Sequence, residues 1–226
     1  MSRVLYSGTK NASSWSFRAW LALKEQGIEF EERVVDIRNP QRLDNLARIA
    51  KFSPPGAVPV LIDGDAVIYD SLAIMEYASE LGAGSLLPTD MKLRAQARSL
   101  VAWQHSGLSN LCPRLSFESS FYPDRRVMSF DEVTDTKRLF DVLEMALQHS
   151  GGPFLVGALS LADLVFVPTL IRIMSHGPDS GAWPLTQAWY KLLMSRDTVQ
   201  EWMQEAISLP PVLLDGYGGW FSGLRV

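Results

Sequence analysis

The pattern of hydrophobic positions changes character near residue 81 and predicts two different halves of the chain. Up to that point, short β-rich runs alternate with segments in which apolar residues recur at helical spacing, in the order β-α-β-α-β-β-α. A helical crossover makes the first two strands parallel, and Asp63-Gly64 predicts the two-residue turn of an antiparallel hairpin. We expect strands at residues 4–7, 30–35, 60–62 and 67–69, and helices at 17–27, 43–50 and 71–81.

Beyond Pro88 the pattern indicates helices alone. Ser160 and Asp163 before an apolar run form a capping box, with Asp in place of the more usual Glu or Gln. The last 18 residues mix Pro and Gly with apolar side chains, which favours an irregular tail packed over a helical domain. We expect domains at 1–81 and 91–226 and a Gly-rich linker at 82–90, with helices near 91–112, 130–149, 161–175, 184–194 and 197–208.

Composition and charge exclude several classes of protein. The 226 residues include 21 Lys+Arg and 25 Asp+Glu without a long basic run, which argues against a nucleic-acid or anionic-membrane binder. The single cysteine, Cys112, excludes an internal disulfide, and the histidines are too far apart for a paired zinc motif. No apolar run approaches the roughly 20 residues that span a bilayer, and no signal peptide is visible. We therefore expect a metal-free cytoplasmic protein.

Three segments of the first half carry candidate chemistry. Ser13 and Ser14 lie between a strand and a helix, where hydroxyls cap helices and the helix N-terminus favours a negative charge. Val58-Pro59 precedes the third strand; a cis bond there would leave the Val58 backbone free to pair with a peptide-like ligand, although proline also begins ordinary strands. Asp70-Ser71 precedes the third helix and could cap it or hold a charged ligand end. For each segment, the purely structural role remains an alternative.

In this order the segments resemble the motifs of a known family, the serine-type glutathione S-transferases. Residues 13–24 resemble the first-helix motif of that family, and residues 53–61, Ser-Pro-Pro-Gly-Ala-Val-Pro-Val-Leu, resemble its cis-proline loop. Residues 70–77 resemble the glutathione-carboxylate motif and residues 157–163 the capping box of the helical domain. Ser13-Ser14-Trp15-Ser16 and the segment 103–108 are nearest to the zeta-like branch and its bacterial members. The resemblance implies a thioredoxin-like N-terminal domain, an all-helical C-terminal domain and a homodimer.

The same resemblance implies a role for each glutathione-site residue. Ser13 would donate a hydrogen bond to the glutathione sulfur, with Ser14 as the alternative donor. Val58, held by a cis bond to Pro59, would pair through its backbone with the cysteinyl part of glutathione.

The two ends of glutathione would be held by different residues. Asp70 would pair with the γ-glutamyl ammonium group and Ser71 with the γ-glutamyl carboxylate. Ala57 has no polar side chain, so Arg48 or Lys51 would serve the glycyl carboxylate.

The second substrate would contact the helical half. The candidates for its binding are His105 and Ser109 of this half together with Trp15 of the first half, and Cys112 and Phe117 are further candidates to face the sulfur. Helix packing alone would also explain the last two residues and His105.

Three functions remain open at this point. The first is conjugation of glutathione to small hydrophobic electrophiles. The second is isomerisation of the maleylacetoacetate isomerase type, with glutathione as a recycled cofactor; it is disfavoured because Trp15 replaces the cysteine of that motif. The third is a non-catalytic binding module of the same fold. Cysteine-type relatives are disfavoured because residues 1–80 contain no cysteine.

Overall fold

A four-stranded mixed sheet with three helices forms the first half of the chain. The computed structural model describes residues 3–82, 86–108 and 111–211. The elements of this half are β1 (Arg3–Gly8), α1 (Ser14–Glu25), β2 (Glu31–Val35), α2 (Arg42–Ile49), β3 (Val60–Asp63), β4 (Ala66–Tyr69) and α3 (Ser71–Leu81). The strand order is β2-β1-β3-β4; β1 pairs with β2 in parallel, and the other two pairs are antiparallel. The predicted element order and the parallel first pair are confirmed.

The hairpin turn lies one position later than predicted. Asp63 pairs with Ala66, so the two loop residues are Gly64 and Asp65. Asp63 stays in the strand because its carboxylate accepts hydrogen bonds from Arg3 Nε at 2.7 Å and from Tyr77 Oη at 2.9 Å. Gly64 has φ of 63°, a left-handed conformation that favours glycine.

Helices form the second half. They are α4 (Met91–Ala102), α5 (Leu111–Arg114), α6 (Phe130–Ser150), α7 (Leu161–Met174), α8 (Pro184–Met194) and α9 (Asp197–Ser208). None of the helices in the described part of the chain is long and apolar enough to cross a membrane. The domain boundaries stay a prediction; residues 83–85 of the predicted linker and 212–226 of the predicted tail lie outside the described residues.

The helical segment predicted near 91–112 is not one regular α-helix in the structure. The α-helix ends at Ala102, and Trp103–Gly107 forms a π-helical turn. The Ser106 hydroxyl donates to the Ala102 carbonyl at 2.9 Å, which is a local alternative to regular backbone pairing. A Cβ on Gly107 would come within 2.4 Å of Trp103 Cδ1, so glycine lets the Trp103 ring fold back over the turn. π-Turns of this kind are frequent at functional sites.

Helix α7 forms the centre of the second half, and every residue from Leu161 to Ile173 is buried. It also joins the two halves, because Arg18 of α1 donates to the Val165 carbonyl of α7 at 2.8 Å. Trp20, Trp189 and Trp202 are buried around this junction. The two halves therefore share one core, and the position of α1 relative to α7 is fixed.

The predicted capping residue of α7, Asp163, is fully buried and holds several elements together. Its Oδ1 accepts from the Leu155 N–H at 2.9 Å and from Trp189 Nε1 at 3.0 Å. Its Oδ2 accepts from the Ser160 N–H and the Ser160 hydroxyl, both at 2.8 Å. Burial raises the pKa of Asp163 to about 6, against the opposing effect of these hydrogen bonds.

Asp163→Ala is expected to lower the free energy of unfolding by about 3 kcal/mol, because its buried donors would lose their acceptor. Asp90 provides a matched control, since it caps the exposed start of α4 through the N–H groups of Lys92 and Leu93. Asp90→Ala is expected to cost about 1 kcal/mol. Urea unfolding of both variants measures the difference, and equal losses would contradict the role assigned to Asp163.

Candidate functional site

Three polar segments meet at one end of the sheet, as the strand register requires. β1 ends at Gly8, and β3 begins beside this end because Tyr6 pairs with Val60. Val60 also pairs with Tyr69, the last residue of β4. The loop that leads to Ser13, the loop that ends at Pro59 and the Asp70-Ser71 pair therefore all lie at this edge. The candidate glutathione-site residues of the first half are brought together by the topology.

Ser13 is the N-cap of α1. Its hydroxyl oxygen accepts from the Ser16 N–H at 3.2 Å and its hydroxyl donates to Ser16 Oγ at 2.8 Å. Ser16 Oγ also accepts from the Gly8 N–H at 2.9 Å. A Cβ on Gly8 would lie 2.8 Å from Ser13 Cβ, so the close approach of β1 to the helix requires glycine. These contacts fix the Ser13 hydroxyl at the positive end of a helix.

Ser14 is buried in the first turn of the same helix. Its carbonyl accepts from Arg18 Nη1 at 3.2 Å, but its hydroxyl makes no hydrogen bond to any described residue. The two adjacent serines therefore differ in kind: one hydroxyl belongs to a capping network, and the other has no protein partner.

The Val58-Pro59 bond is cis. Val58 precedes β3 and is half-buried, and neither its N–H nor its C=O pairs with the described part of the chain. A backbone donor and acceptor are thus left at the edge of the sheet, where an extended ligand could pair with them. A second cis bond, Asn39-Pro40, was not predicted.

Asp70 caps α3 and faces the second half of the chain. Its Oδ1 accepts from the Leu72 N–H at 2.8 Å. Its φ of 72° is an outlier for a non-glycine residue. Its Oδ2 lies 3.6 Å from Nε2 of His105, a residue of the π-helical turn. Ser71 beside it is 3% exposed, and its hydroxyl has no hydrogen-bond partner in residues 3–82, 86–108 and 111–211.

Trp15 and His105 form the opposite wall of the candidate site. Their rings meet edge-on, with centroids 5.2 Å apart, and Trp15 is 41% exposed. His105 Nδ1 is buried without a hydrogen-bond partner. The structure thus brings together Trp15, His105 and Asp70, a link between the halves that the sequence did not reveal.

The remaining candidates are distributed differently. Ser109 lies outside the described residues. Phe117 is buried against Phe17 and Phe121, as the core interpretation expects. Cys112 is half-buried, and its carbonyl accepts from Arg172 at 2.7 Å.

The candidates for the glycyl carboxylate are exposed. Arg48 is in α2, where its Nη1 donates to Asn45 Oδ1 at a long 3.5 Å, and Lys51 follows the helix. No ion pair holds either side chain to another described residue, so both remain available to an anion.

Comparison with known proteins decides the family. A model of the glutathione S-transferase N-terminal domain matches residues 12–81, and a model of the glutathione S-transferase C-terminal domain matches residues 123–197. The chain belongs to the glutathione S-transferase family. The resemblance to this family stated from the sequence is therefore confirmed, as is the two-part fold.

Named relatives of this family member include transferases and isomerases. Glutathione S-transferase 1 of Dianthus caryophyllus is 34% identical over 190 residues, which cover 81% of this chain and 83% of that protein. Maleylacetoacetate isomerase of Mus musculus is 30% identical over 200 residues, covering 87% and 90%. A glutathione transferase homolog from Burkholderia, crystallised with bound glutathione, shares the fold with a TM-score of 0.67 and 24% identity, covering 91% of this chain and 98% of that one.

Sequence reasoning about this glutathione S-transferase gave Arg18 no role beyond its place in the motif. Arg18 is 1% exposed and lies with its guanidinium 4.6 Å from the Trp15 ring centroid. The available signal was a charged residue inside the apolar run from Phe17 to Leu23. Such a residue is buried only with its polar groups satisfied.

A separate surface depression of about 790 Å³ lies away from these residues. Its lining includes Trp20, Lys24 and Glu29, and Lys24 forms an ion pair at 2.8 Å with Glu201, which also lines the depression. None of the candidate site residues of this family member lines it. Residues 3–82, 86–108 and 111–211 contain no cluster of side chains suited to hold a metal ion.

Proposed function

We propose that this chain conjugates reduced glutathione to small hydrophobic electrophiles and that Ser13 stabilises the thiolate. One observation carries the proposal: polar groups at a single edge of the sheet accept or donate no hydrogen bond within the described chain, and they match the backbone and charged ends of glutathione. These groups are the Val58 backbone, the Ser71 hydroxyl and Asp70 Oδ2, which lies 3.6 Å from His105 Nε2. Family membership supports the same ligand.

Ser13 is the better placed of the two serines to donate to sulfur. Its oxygen accepts the Ser16 N–H, and a hydroxyl polarised in this way is a stronger donor. The hydrogen of the Ser13 hydroxyl can turn from Ser16 Oγ to the sulfur, because Ser16 Oγ would still accept a hydrogen bond from the Gly8 N–H. A free thiol has a pKa of about 8.5, and each unit of lowering needs about 1.4 kcal/mol. A charge-assisted hydrogen bond and the helix N-terminus are together sufficient for this.

The remainder of glutathione would lie along the sheet edge. The Val58 N–H and C=O would pair with the cysteinyl residue as an added strand does. The Asp70 carboxylate would bind the ammonium group, and the Ser71 hydroxyl would bind the γ-glutamyl carboxylate. Arg48 or Lys51 would serve the glycyl carboxylate.

The electrophile would bind against the wall formed by Trp15 and His105, with Ser109 as the further predicted contact. In the reaction, the thiolate attacks the electrophilic carbon and a carbon–sulfur bond forms. With an aryl chloride, the carbon–chlorine bond breaks, chloride leaves and the thiol proton passes to solvent. The apolar indole face favours a hydrophobic partner.

Isomerisation of the maleylacetoacetate type is the second candidate, because a named isomerase is 30% identical over most of the chain. Trp15 argues against it, since an indole that is 41% exposed occupies the place of the cysteine in that motif. If the chain were an isomerase, glutathione would be released unchanged after each turnover.

Product analysis distinguishes these functions. The protein is incubated with glutathione and either chlorodinitrobenzene or maleylacetoacetate. The amount of free thiol consumed is then compared with the amount of product formed. Consumption of one thiol per product supports conjugation. Formation of the isomer at a constant thiol concentration would contradict conjugation and support the isomerase function. Absence of turnover with either compound would support the non-catalytic binding module.

The proposal includes a cytoplasmic homodimer, as in the family that the motifs resemble. Light scattering of the purified chain is expected to give twice the monomer mass of 25.2 kDa. A particle of the monomer mass would contradict the dimer.

A further inference from the structure

Arg18 is a buried cation whose hydrogen-bond partners are all neutral. Its Nε donates to the Val165 carbonyl at 2.8 Å, its Nη1 to the Ser14 carbonyl at 3.2 Å and its Nη2 to Thr169 Oγ1 at 3.1 Å. The side chain is 1% exposed, so water does not solvate it. The guanidinium is hydrogen-bonded, but its charge is not neutralised by these contacts.

A second guanidinium shares the same interior. Arg172 of α7 is 4% exposed and donates to the carbonyls of Cys112 at 2.7 Å and Leu115 at 3.2 Å. Burial, and next the charge of Arg172, lower the pKa of Arg18 to about 9 against the opposing effect of nearby Cys112, which leaves Arg18 charged at neutral pH. Among the described residues, neither arginine forms an ion pair with a carboxylate. The acidic group of Glu118 interacts electrostatically with Arg172; burial raises the pKa of its carboxyl, and a backbone hydrogen bond and then the charge of Arg172 oppose this.

This arrangement is unusual for a purely structural arginine. Burying a charge without a counter-charge is costly, and a clamp between two helices can be built from neutral groups. The low dielectric of the protein interior makes a buried charge costly, and it also strengthens the electrostatic interaction of that charge with nearby ions. An anion bound close by would supply the missing counter-charge.

The charge lies directly behind the serine pair. Through the Ser14 carbonyl, Arg18 is bonded to the first turn of α1, where Ser13 is the cap. On its outer side, the guanidinium lies 4.6 Å from the centroid of the Trp15 ring, and that ring is 41% exposed at the candidate site. Arg18 therefore contacts both the first turn of α1 and the Trp15 wall of the candidate site.

We propose that Arg18, with Arg172 behind it, stabilises the glutathione thiolate electrostatically. Arg18 is too buried to touch the sulfur, so it is a positioning residue that acts through its field and through the Ser14 carbonyl. The bound thiol loses its proton to solvent, and the thiolate supplies the counter-charge that the neutral hydrogen-bond partners of Arg18 do not supply. This inference rests on the proposed function.

The decisive readout is the thiol pKa of bound glutathione, measured from the ultraviolet absorbance of the thiolate as pH is varied, with no electrophile present. Arg18→Met is expected to raise this pKa by about one unit, a tenfold smaller ionisation constant. S-methyl glutathione has no ionisable thiol, so its affinity is expected to change less than about threefold.

Thr169 offers a matched pair of variants that keeps the test decisive even if Arg18→Met does not fold. Thr169 is fully buried and accepts from both Arg18 Nη2 and Gln104 Nε2, each at 3.1 Å. Thr169→Val removes these bonds but leaves the charge, and the thiol pKa is expected to stay within about 0.3 units. Thr169→Asp places a carboxylate against the guanidinium and is expected to raise the thiol pKa as Arg18→Met does.

The outcomes separate this inference from the proposed function. Binding of glutathione with a lowered thiol pKa that rises in Arg18→Met and Thr169→Asp, but not in Thr169→Val, supports the inference. An unchanged thiol pKa in Thr169→Asp overturns it and leaves Arg18 as a clamp between helices. Absence of glutathione binding by the unaltered protein would instead contradict the proposed function itself.

Discussion

Ser13→Ala is expected to lower kcat/KM for chlorodinitrobenzene about 30-fold at pH 7, equivalent to about 2 kcal/mol. The reason is the loss of the favoured donor to sulfur, which raises the thiol pKa and leaves less thiolate. The ascending limb of kcat/KM against pH should move to higher pH in the same variant. Part of the stability of α1 is also lost, about 1 kcal/mol for the missing cap.

Ser14→Ala is the matched control for this prediction. The Ser14 hydroxyl has no partner in the described chain, so its removal leaves the capping network intact. We expect kcat/KM to fall less than about threefold. The reverse result, with a large loss in Ser14→Ala and a small one in Ser13→Ala, would assign the thiolate to Ser14.

Asp70→Asn is expected to weaken glutathione binding about 30-fold, again about 2 kcal/mol. Asparagine tolerates the positive φ of this position and caps helices well, so the variant removes the charge and retains the local structure. Isothermal titration calorimetry measures the affinity. Because Asp70 would hold the ammonium group, acetylation of the γ-glutamyl nitrogen should remove most of the difference between the two proteins.

Asp90→Ala serves as the control for charge at a helix start. Asp90 caps α4 in the manner of Asp70, through the N–H groups of Lys92 and Leu93. The Asp90→Ala substitution is expected to leave glutathione affinity unchanged. An affinity in Asp70→Asn equal to that of the unaltered protein would remove Asp70 from the site and leave it as a cap.

The architecture was predictable because each element carries its own local signal. The apolar spacing of α1, the breaker loop before β3 and the capping residues of α7 all indicate their structures within a few residues of sequence. The hairpin turn was displaced by one residue because Asp63 is held in the strand by side-chain bonds to Arg3 and Tyr77, which are distant in sequence.

The candidate site was only partly predictable. The serines and Asp70 occur where sequence motifs placed them, but the approach of His105 to Asp70 depends on a π-helical turn and on the packing of two halves. The same packing buries Arg18 against Val165 and Thr169, which are 147 and 151 positions away in sequence. Tertiary contacts of this kind leave no periodic signal in a single sequence.

Calorimetric titration of reduced glutathione into the purified chain, repeated with S-methyl glutathione, tests the central claim most directly. The account predicts that both ligands bind at one site per chain. It also predicts that reduced glutathione alone releases a proton near neutral pH, seen as a dependence of the heat on the ionisation enthalpy of the buffer. Absence of binding by both ligands at millimolar concentration would contradict a glutathione site at this edge of the sheet.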